Sequence, residues 1–523
     1  MPANASKAAR HLEVERKFEV LESTVTPSFE GIAAVARVEK SPTQALDAVY
    51  FDTPTQDLAR NRITLRRRTG GTDSGWHLKL PAGPDARTEI RAPLAASGGA
   101  AGETVPSELL DVVLAIVRDR PVEPIARIAT QRESQVLYSA EGTALAEFSN
   151  DDVTAWAART PDGLDSGTAG PTEQQWREWE LELIDTDGAA NGIDGRELLN
   201  RLSNRLLDAG AAPAGHGSKL ARVLGAASPA GGPQPPMDPV HRAVAQHVDE
   251  LLLWDRAVRA DAPDAVHQMR VTTRKIRSLL SDSHESFGLP DGAWVIDELR
   301  ELAGVLGVAR DAEVLGERYQ RALDQLAPEL VRGPIRERLV GGAERRYQTG
   351  MRRSLIAMRS QRYFRLLDAL DALVAQSPVT AAGDAPQPVT IGPAYRRVRK
   401  AAEAARASHG NEHDRDEALH RIRKRAKRLR YTAAATGADR VSQRAKDIQT
   451  LLGDHQDSVV SRQHLIKQAE AAAAAGEDTF TYGLLFQQEA DLAERCRERL
   501  DAALRQLNKS VRKARHERGR VGL

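Results

Sequence analysis

The period of apolar and polar positions changes near residue 225. Leu12 to Val20 alternates strictly, with Glu13, Glu15, Lys17 and Glu19 on one face and Leu12, Val14, Phe18 and Val20 on the other. That is the side-chain period of a β-strand. The alternation returns in Thr64–Arg68, where Arg66 and Arg68 share a face, and in Trp76–Leu80, where His77 and Lys79 do. It returns again in Arg87–Ile90, with Arg87 beside Glu89, and late in the block, where Glu178, Glu180 and Glu182 alternate with Trp179, Leu181 and Leu183. Helical periodicity intervenes at Ser107–Val117 and Arg196–Ala209, and from Val240 onward it is continuous, in a sequence rich in Ala, Leu and Arg.

Two stretches break the pattern. Ala226–Pro239 and Ala375–Pro393 are rich in Pro and Gly and continue no regular element. They predict a β-rich domain over 1–225, a linker at 226–239 and an all-α domain over 240–515, with repeat halves of about 240–374 and 394–515. The halves carry matching signatures. His267 is followed by Arg270, Arg274, Lys275 and Arg277, and His420 by Arg423, Lys427, Arg428 and Arg430, at the same offsets. Downstream, Leu306-Gly307 precedes Asp311 as Leu452-Gly453 precedes Asp457. A shared spacing of this kind marks an internal duplication. On a helix, His420, Arg423, Lys427 and Arg430 form one stripe opposite Ile422 and Leu429, so the expected element is a packed amphipathic helix with cations on its wet face. The glycine is compatible with close helix packing or with a local break.

Composition adds three constraints. Cys496 is the single cysteine of the 523 residues, so no intrachain disulfide forms, which fits a reducing compartment. Residues 1–10 have no apolar core of a signal peptide, and the longest apolar run, Leu109–Val117, is too short to span a bilayer. The expected location is therefore cytoplasmic. Arg and Lys minus Asp and Glu gives 25 − 33 = −8 for 1–225 and 49 − 40 = +9 for 226–523. An acidic half and a basic half point to different tasks.

In any one strand, charge alternation is how an antiparallel sheet meets water. The mixture across strands says more: two present close-set carboxylates, and others present cations. Closing such a sheet into a barrel puts these charges inside, where they need a ligand. Paired carboxylates suit hard cations such as Mg²⁺ or Mn²⁺, and Arg and Lys suit a chain of phosphates. A metal–triphosphate complex satisfies both.

The motifs bear this out as a resemblance. Glu13-Val14-Glu15-Arg16-Lys17 matches the Glu-x-Glu-x-Lys signature of the CYTH superfamily, the triphosphate tunnel metalloenzymes. Tyr50–Pro54, Leu65–Arg68, Leu78–Pro81, Trp179–Leu183 and Ser218–Arg222 resemble its later motifs in order. The resemblance implies a closed antiparallel eight-stranded tunnel with flanking helices. It also implies metal ligation by Glu13, Glu15, Glu180 and Glu182, catalysis by these with Lys17, and phosphate binding by Lys17, Arg66, Arg68, Lys79, Arg87, Arg132 and Lys219. The segment Ala146–Asp152 offers Glu147, Asp151 and Asp152 where the family pattern calls for an acidic strand end, and this departs from a simple match. The second half resembles the CHAD domain, a conserved-histidine α-helical domain, over roughly 240–515; Tyr363 and Arg362–Leu367 also look familial.

The resulting expectation is an α+β multidomain protein: a metal-dependent inorganic triphosphatase, using Mg²⁺ or Mn²⁺, coupled to a helical domain of two duplicated bundles. That domain would bind long-chain polyphosphate through His267, Arg270, Arg274, Arg277, His420, Arg423, Lys427 and Arg430. Association with polyphosphate granules would follow. His267 and His420 would add charge as pH falls past about 6.5. Metal binding by these histidines is disfavoured by the cations beside them, and nucleic acid by the scarcity of stacking aromatics, Tyr431 being the one in the second stripe. The alternatives are a polyphosphate-binding protein with little catalysis, or an activity like that of a class IV adenylate cyclase or thiamine triphosphatase.

Overall fold

The computed structural model describes residues 10–94, 104–157, 173–184, 194–225, 239–290, 292–375, 391–407 and 411–521. Most of the two Pro/Gly stretches expected as linkers lies outside the described residues.

Ten strands form one sheet: β1 (Arg10–Val20), β2 (Arg37–Lys40), β3 (Gln44–Asp52), β4 (Thr64–Thr69), β5 (Gly75–Pro81), β6 (Ala86–Ala92), β7 (Glu123–Tyr138), β8 (Ala144–Ala157), β9 (Glu173–Leu183) and β10 (Ala212–Pro213). Eight of them, in the antiparallel order β1-β6-β5-β4-β3-β7-β8-β9, close into a barrel because β9 pairs back onto β1. β2 and β10 add short pairings to β7 and β1.

The barrel is polar inside and apolar outside, so its hydrophobic cores lie between the strands and the helices around them. These helices are α1 (Asp57–Arg60), α2 (Ser107–Val117), α3 (Gly195–Asp208) and α4 (Lys219–Val223). Leu109, Val113 and Ile116 of α2 pack on Trp76, Leu78 and Ile90. Leu199, Leu202 and Leu206 of α3 pack with Phe29 on Phe18, Phe148, Trp179 and Leu181. Their i, i+3, i+4 spacing is what turns one face of α3 to the sheet. Each fully buried side chain of this size contributes about 2 kcal/mol of transfer free energy, and this fixes the register: a one-residue slip would swap the tunnel charges with the outer apolar row. Leu12 departs from the expected apolar face, being 44% exposed near the start of β1, beyond the helices' cover. Asp52, fully buried, accepts hydrogen bonds from the backbone N–H groups of Thr53, Leu58 and Ala59. It ties the end of β3 to α1, a structural role for part of the Tyr50–Pro54 motif.

The rest of the chain holds nine α-helices among the described residues: α5 (Pro239–Arg259), α6 (Ala265–Asp282), α7 (Trp294–Asp324), α8 (Gly342–Met358), α9 (Gln361–Ala375), α10 (Ile391–Ala407), α11 (Glu412–Ala435), α12 (Asp439–Ala474) and α13 (Phe480–Val521). Two compact units divide the chain: Met1–Ala303 with Leu355–Pro378, and Gly304–Ser354 with Val379–Leu523. Within the first, α2 meets α5 and α9. Arg118, just after α2 and almost fully buried, pairs with Asp368 and Asp371 of α9, and Arg359 pairs with Asp111. Tyr363 is buried and donates to Asp255 at 2.9 Å, giving the familial tyrosine a structural partner. Within the second unit, Ile422, Ala426 and Leu429 of α11 pack on Ile448 and Leu452 of α12.

Candidate functional site

A cavity of about 520 Å³ runs inside the barrel. All eleven tunnel residues singled out from the sequence line it: Glu13, Glu15 and Lys17 from β1, Arg66 and Arg68 from β4, Lys79 from β5, Arg87 from β6, Arg132 from β7, Glu180 and Glu182 from β9, and Lys219 from α4. Period-two alternation brings them to one face of each strand, and barrel closure brings the strands together.

The cross-strand register sorts them. Glu15 pairs with Glu182, and Glu182 with Glu147, so three carboxylates stand side by side across β1, β9 and β8. One step along, Lys17 is opposite Glu180. Glu180 is saturated with cations: Lys17 pairs with it, Lys219 Nζ lies 2.7 Å away and Arg132 2.5 Å away. Burial opposes its charge, but these three cations outweigh burial and hold its pKa well below the usual range. Lys219 also reaches Asp151 and Glu178 at 2.8 Å each, and Arg132 accompanies it on Asp151. Burial works against the charge on Lys17 as well, and Glu15 and Glu180 overcome it to raise its pKa. Glu15 is 2.9 Å from Lys17 and 3.5 Å from Arg87. Burial would raise its pKa, yet Lys17 and Lys79 bring it to about 2.

Glu182 behaves differently. Among the described residues its side chain has no hydrogen bond or ion pair, and neither does that of Glu147, although both backbones are paired in the sheet. Burial, reinforced by Glu13, Glu15 and Glu180 against the pull of Lys79, lifts its pKa to about 7. Burial raises Glu13 too, although Lys79 lies 2.5 Å from its Oε2. Around Glu182 the tunnel is thus short of positive charge, while around Glu180 it is not. Asp151, Glu178 and Glu180 form a tight acidic group with ligand atoms within 4.8 Å of one another. The ammonium of Lys219 already sits among them. A divalent cation therefore fits best beside Glu182 and Glu147, lining carboxylates whose side chains have no ion pair among the described residues.

Several lining residues escaped sequence reasoning. Glu89 is held by buried His77 at 2.8 Å. Tyr50 accepts from Arg66 at 3.4 Å, and Asp73 pairs with Arg68 at 2.5 Å. The ambiguous segment resolves by alternation: Glu147 lines the cavity, Asp151 is buried in the Lys219 cluster and Asp152 is exposed. Glu147 was legible from its position two strand steps before Asp151; Asp73 lies in the β4–β5 turn, where no periodicity reports.

The basic helices need a correction. In α11 the stripe His420, Arg423, Lys427 and Arg430 is half-buried, and the wettest cations are Arg421, Lys424, Arg425 and Arg428. The stripe turns toward α12, not toward open water. Arg430 Nη1 donates to Gln449 at 3.3 Å, and Arg423 lies against Gly453. α12 runs unbroken through that glycine, so the Leu-Gly motif serves close approach and not a break. Burial raises the pKa of Asp454 and Asp457, and Arg423 is one of the arginines, with Arg318, that oppose it. Burial, Lys424 and Arg423 lower the pKa of His420, against a hydrogen bond with Gln456 that favours the charged ring. Its charging therefore begins at lower pH than the unperturbed value expected from sequence. In α6, His267, Arg270, Arg274 and Arg277 are half-buried in the same way, opposite buried Met269 and Ile276.

Comparison with known proteins agrees with this architecture. Residues 11–210 match the CYTH domain and residues 242–466 the CHAD domain. The chain belongs to the family in which a CYTH domain precedes a CHAD domain. It is 75% identical over 520 residues to the uncharacterized protein MT2285 of Mycobacterium tuberculosis, covering 98% of this chain and 100% of that one. The uncharacterized protein Rv2226, from strain H37Rv, matches over the same lengths. Among solved structures, the CHAD domain from the plant Ricinus communis is 24% identical over 51% of this chain and 90% of its own, with a TM-score of 0.40. PptA from Streptomyces chartreusis is 21% identical over 52% and 100%, with a TM-score of 0.43. The Hippeastrum protein HpAC1, described with a dominant triphosphatase activity, is 14% identical over 40% and 94%, with a TM-score of 0.23. No described helix is long and apolar enough to cross a membrane.

Proposed function

We propose that the tunnel hydrolyses a terminal phosphoanhydride of inorganic triphosphate with Mg²⁺ or Mn²⁺, and that the basic helices hold long-chain polyphosphate. One observation carries the tunnel reading: a single cavity sets the carboxylates of Glu13, Glu15, Glu182 and Glu147 against an arc of cations from Arg66, Arg68, Arg87, Arg132 and Lys219. A bound divalent ion would supply Lewis-acid charge neutralisation to the phosphate oxygens. The arginines would hold the chain bidentately and stabilise charge on the departing pyrophosphate. Glu182 and Glu147, whose side chains have no ion pair among the described residues, are the carboxylates best suited to take a metal or the proton of an attacking water. Glu180 is better read as a positioning residue that keeps Lys17, Arg132 and Lys219 in place. The domain division at 226–239 remains part of this proposal, in line with where the two family matches end and begin.

Inorganic triphosphate, ATP and thiamine triphosphate, each incubated with the full chain and Mg²⁺, test the reading. Fastest phosphate release from inorganic triphosphate is expected. Cyclic nucleotide from ATP would favour a cyclase. Metal-dependent triphosphate binding without turnover would favour a binding protein.

A further inference from the structure

His77 shares the tunnel face of β5 with Lys79, yet it does not line the cavity, whereas Asp73, Glu89 and Arg91 do. Its side chain is 1% exposed. Both ring nitrogens are engaged: Nε2 lies 2.9 Å from the backbone oxygen of Asp73, and Nδ1 lies 2.8 Å from Oε1 of Glu89. A carbonyl oxygen only accepts, so Nε2 carries a proton. Glu89 is ionised: Arg91 pairs with its Oε2, and Lys79 Nζ stands 3.9 Å from its Oε1. Burial opposes that charge, and His77, Lys79 and Arg91 together overcome it, holding the pKa of Glu89 below its usual range. A bare Nδ1 would set its lone pair against the carboxylate, so Nδ1 donates as well and the ring is a buried imidazolium.

A buried ion pair is a weak device for stability alone, since well-packed apolar residues of the same volume often do as well or better. This one joins two groups that both face the cavity. Asp73 belongs to the turn between β4 and β5, and its carboxylate pairs with Arg68 at 2.5 Å. Arg68 lines the cavity and is otherwise buried. The strands on either side of β4 are β3 and β5, and both grip the turn. On the β3 side, a Cβ at Gly70, with φ +80°, would strike the carbonyl oxygen of Ala45, and one at Gly71, with φ +73°, would stand 2.7 Å from Cδ2 of Leu46. On the β5 side, His77 holds the Asp73 carbonyl. The backbone of Asp73 is thus fixed from both flanks, and its position sets where the Arg68 guanidinium is held.

We propose that His77 is a positioning residue of the tunnel, anchoring the Asp73 carbonyl so that Asp73 presents Arg68 to a bound triphosphate, an assignment that rests on the tunnel being a triphosphate site. Arg66 and Arg91 are its cross-strand neighbours, so the ring keeps its charge among cations only because Glu89 and Asp73 stand with it. Two substitutions divide its bonds. Gln places an amide N–H near the position of Nε2 and keeps the arm to Asp73. Asn places one near the position of Nδ1 and keeps the arm to Glu89.

Triphosphate kinetics and hydrogen exchange on the full chain separate the two arms. His77→Asn is expected to raise KM for inorganic triphosphate about tenfold, with kcat changed less than about threefold, and to speed exchange across 70–75 before substrate is added. His77→Gln should recover most of the affinity and most of the protection. Asp73→Asn, on a half-buried turn residue, loosens Arg68 directly and should raise KM to a similar extent; adding His77→Asn to it should raise KM little further. A role in folding alone would lower the melting temperature of the His77 variants and leave KM at the wild-type value, and that result would overturn the proposal. So would equal KM in His77→Asn and His77→Gln, a wild-type KM in Asp73→Asn, or fully additive effects in the double variant. If the wild-type chain turns over no triphosphate, the reading of the tunnel fails, and exchange across 70–75 still decides the anchor: unchanged exchange in His77→Asn would overturn it.

Discussion

Arg423 of α11 crosses α12 at Gly453. A methyl group on that glycine would stand 3.6 Å from Nη2 and 3.7 Å from Nε of the arginine, in ordinary contact. Alanine therefore fits, and it removes the helix-interior cost of glycine, about 1 kcal/mol. Gly453→Ala is expected to melt slightly higher and to bind polyphosphate as the wild type does. Gly453→Leu should push Arg423 off its path and weaken binding several-fold. Calorimetry and a polyphosphate titration on both variants check this; a loss of binding in the alanine variant would contradict it.

Arg118 links α2 to α9 at a conformational cost. Its backbone adopts φ 60° and ψ −126°, a region favouring glycine, while its buried guanidinium meets Asp368 and Asp371. The aspartates are half exposed, so the pairs are partly screened. Arg118→Ala is expected to destabilise the chain by about 1–3 kcal/mol. Asp368→Asn with Asp371→Asn should cost at least as much, because it leaves the buried guanidinium without its counter-charges. Equal melting temperatures for Arg118→Ala and wild type would remove the link.

A third expectation concerns acid stability in the second unit. Arg346 donates to Nε2 of His464 at 2.8 Å, so the ring proton sits on Nδ1 and is donated to the Tyr319 hydroxyl at 2.9 Å. Burial, with Arg346 and Lys467, lowers the pKa of His464 to about 4. A histidine whose folded pKa lies below its unfolded value of about 6.5 takes up its proton preferentially in the unfolded chain. Its contribution is present above pH 6.5 and is lost as pH falls from there toward 4. Thermal melts of wild type and His464→Gln across that window should diverge least at the acid end. Parallel curves would contradict the assignment.

Much of the tunnel was legible because a closed barrel converts period-two alternation directly into an inside and an outside. Glu13, Glu15 and Lys17 needed nothing more than the strand period to share a face. What the sequence could not convey was lateral order. That Glu15, Glu182 and Glu147 stand in one row, while Glu180 disappears under three cations, depends on which strands pair and in what register. The α11 stripe was legible as a stripe, but its exposure was not. Three cations and a histidine at helical spacing look wet on an isolated helix, and only the approach of α12 turns them inward. Asp454 and Asp457, which moderate Arg423, arrive from that second helix.

In the proposed function, Glu15 and Glu182 of the tunnel support metal-dependent cleavage of inorganic triphosphate. Phosphorus NMR of the full chain with inorganic triphosphate, with and without Mg²⁺ or Mn²⁺, tests it most directly. The account predicts equal amounts of phosphate and pyrophosphate, formed only with metal, and a rate at least a hundredfold lower in Glu15→Gln and in Glu182→Gln, on the scale of losing about 3 kcal/mol of transition-state stabilisation. Intact triphosphate with either metal, or wild-type rates in both variants, would contradict it.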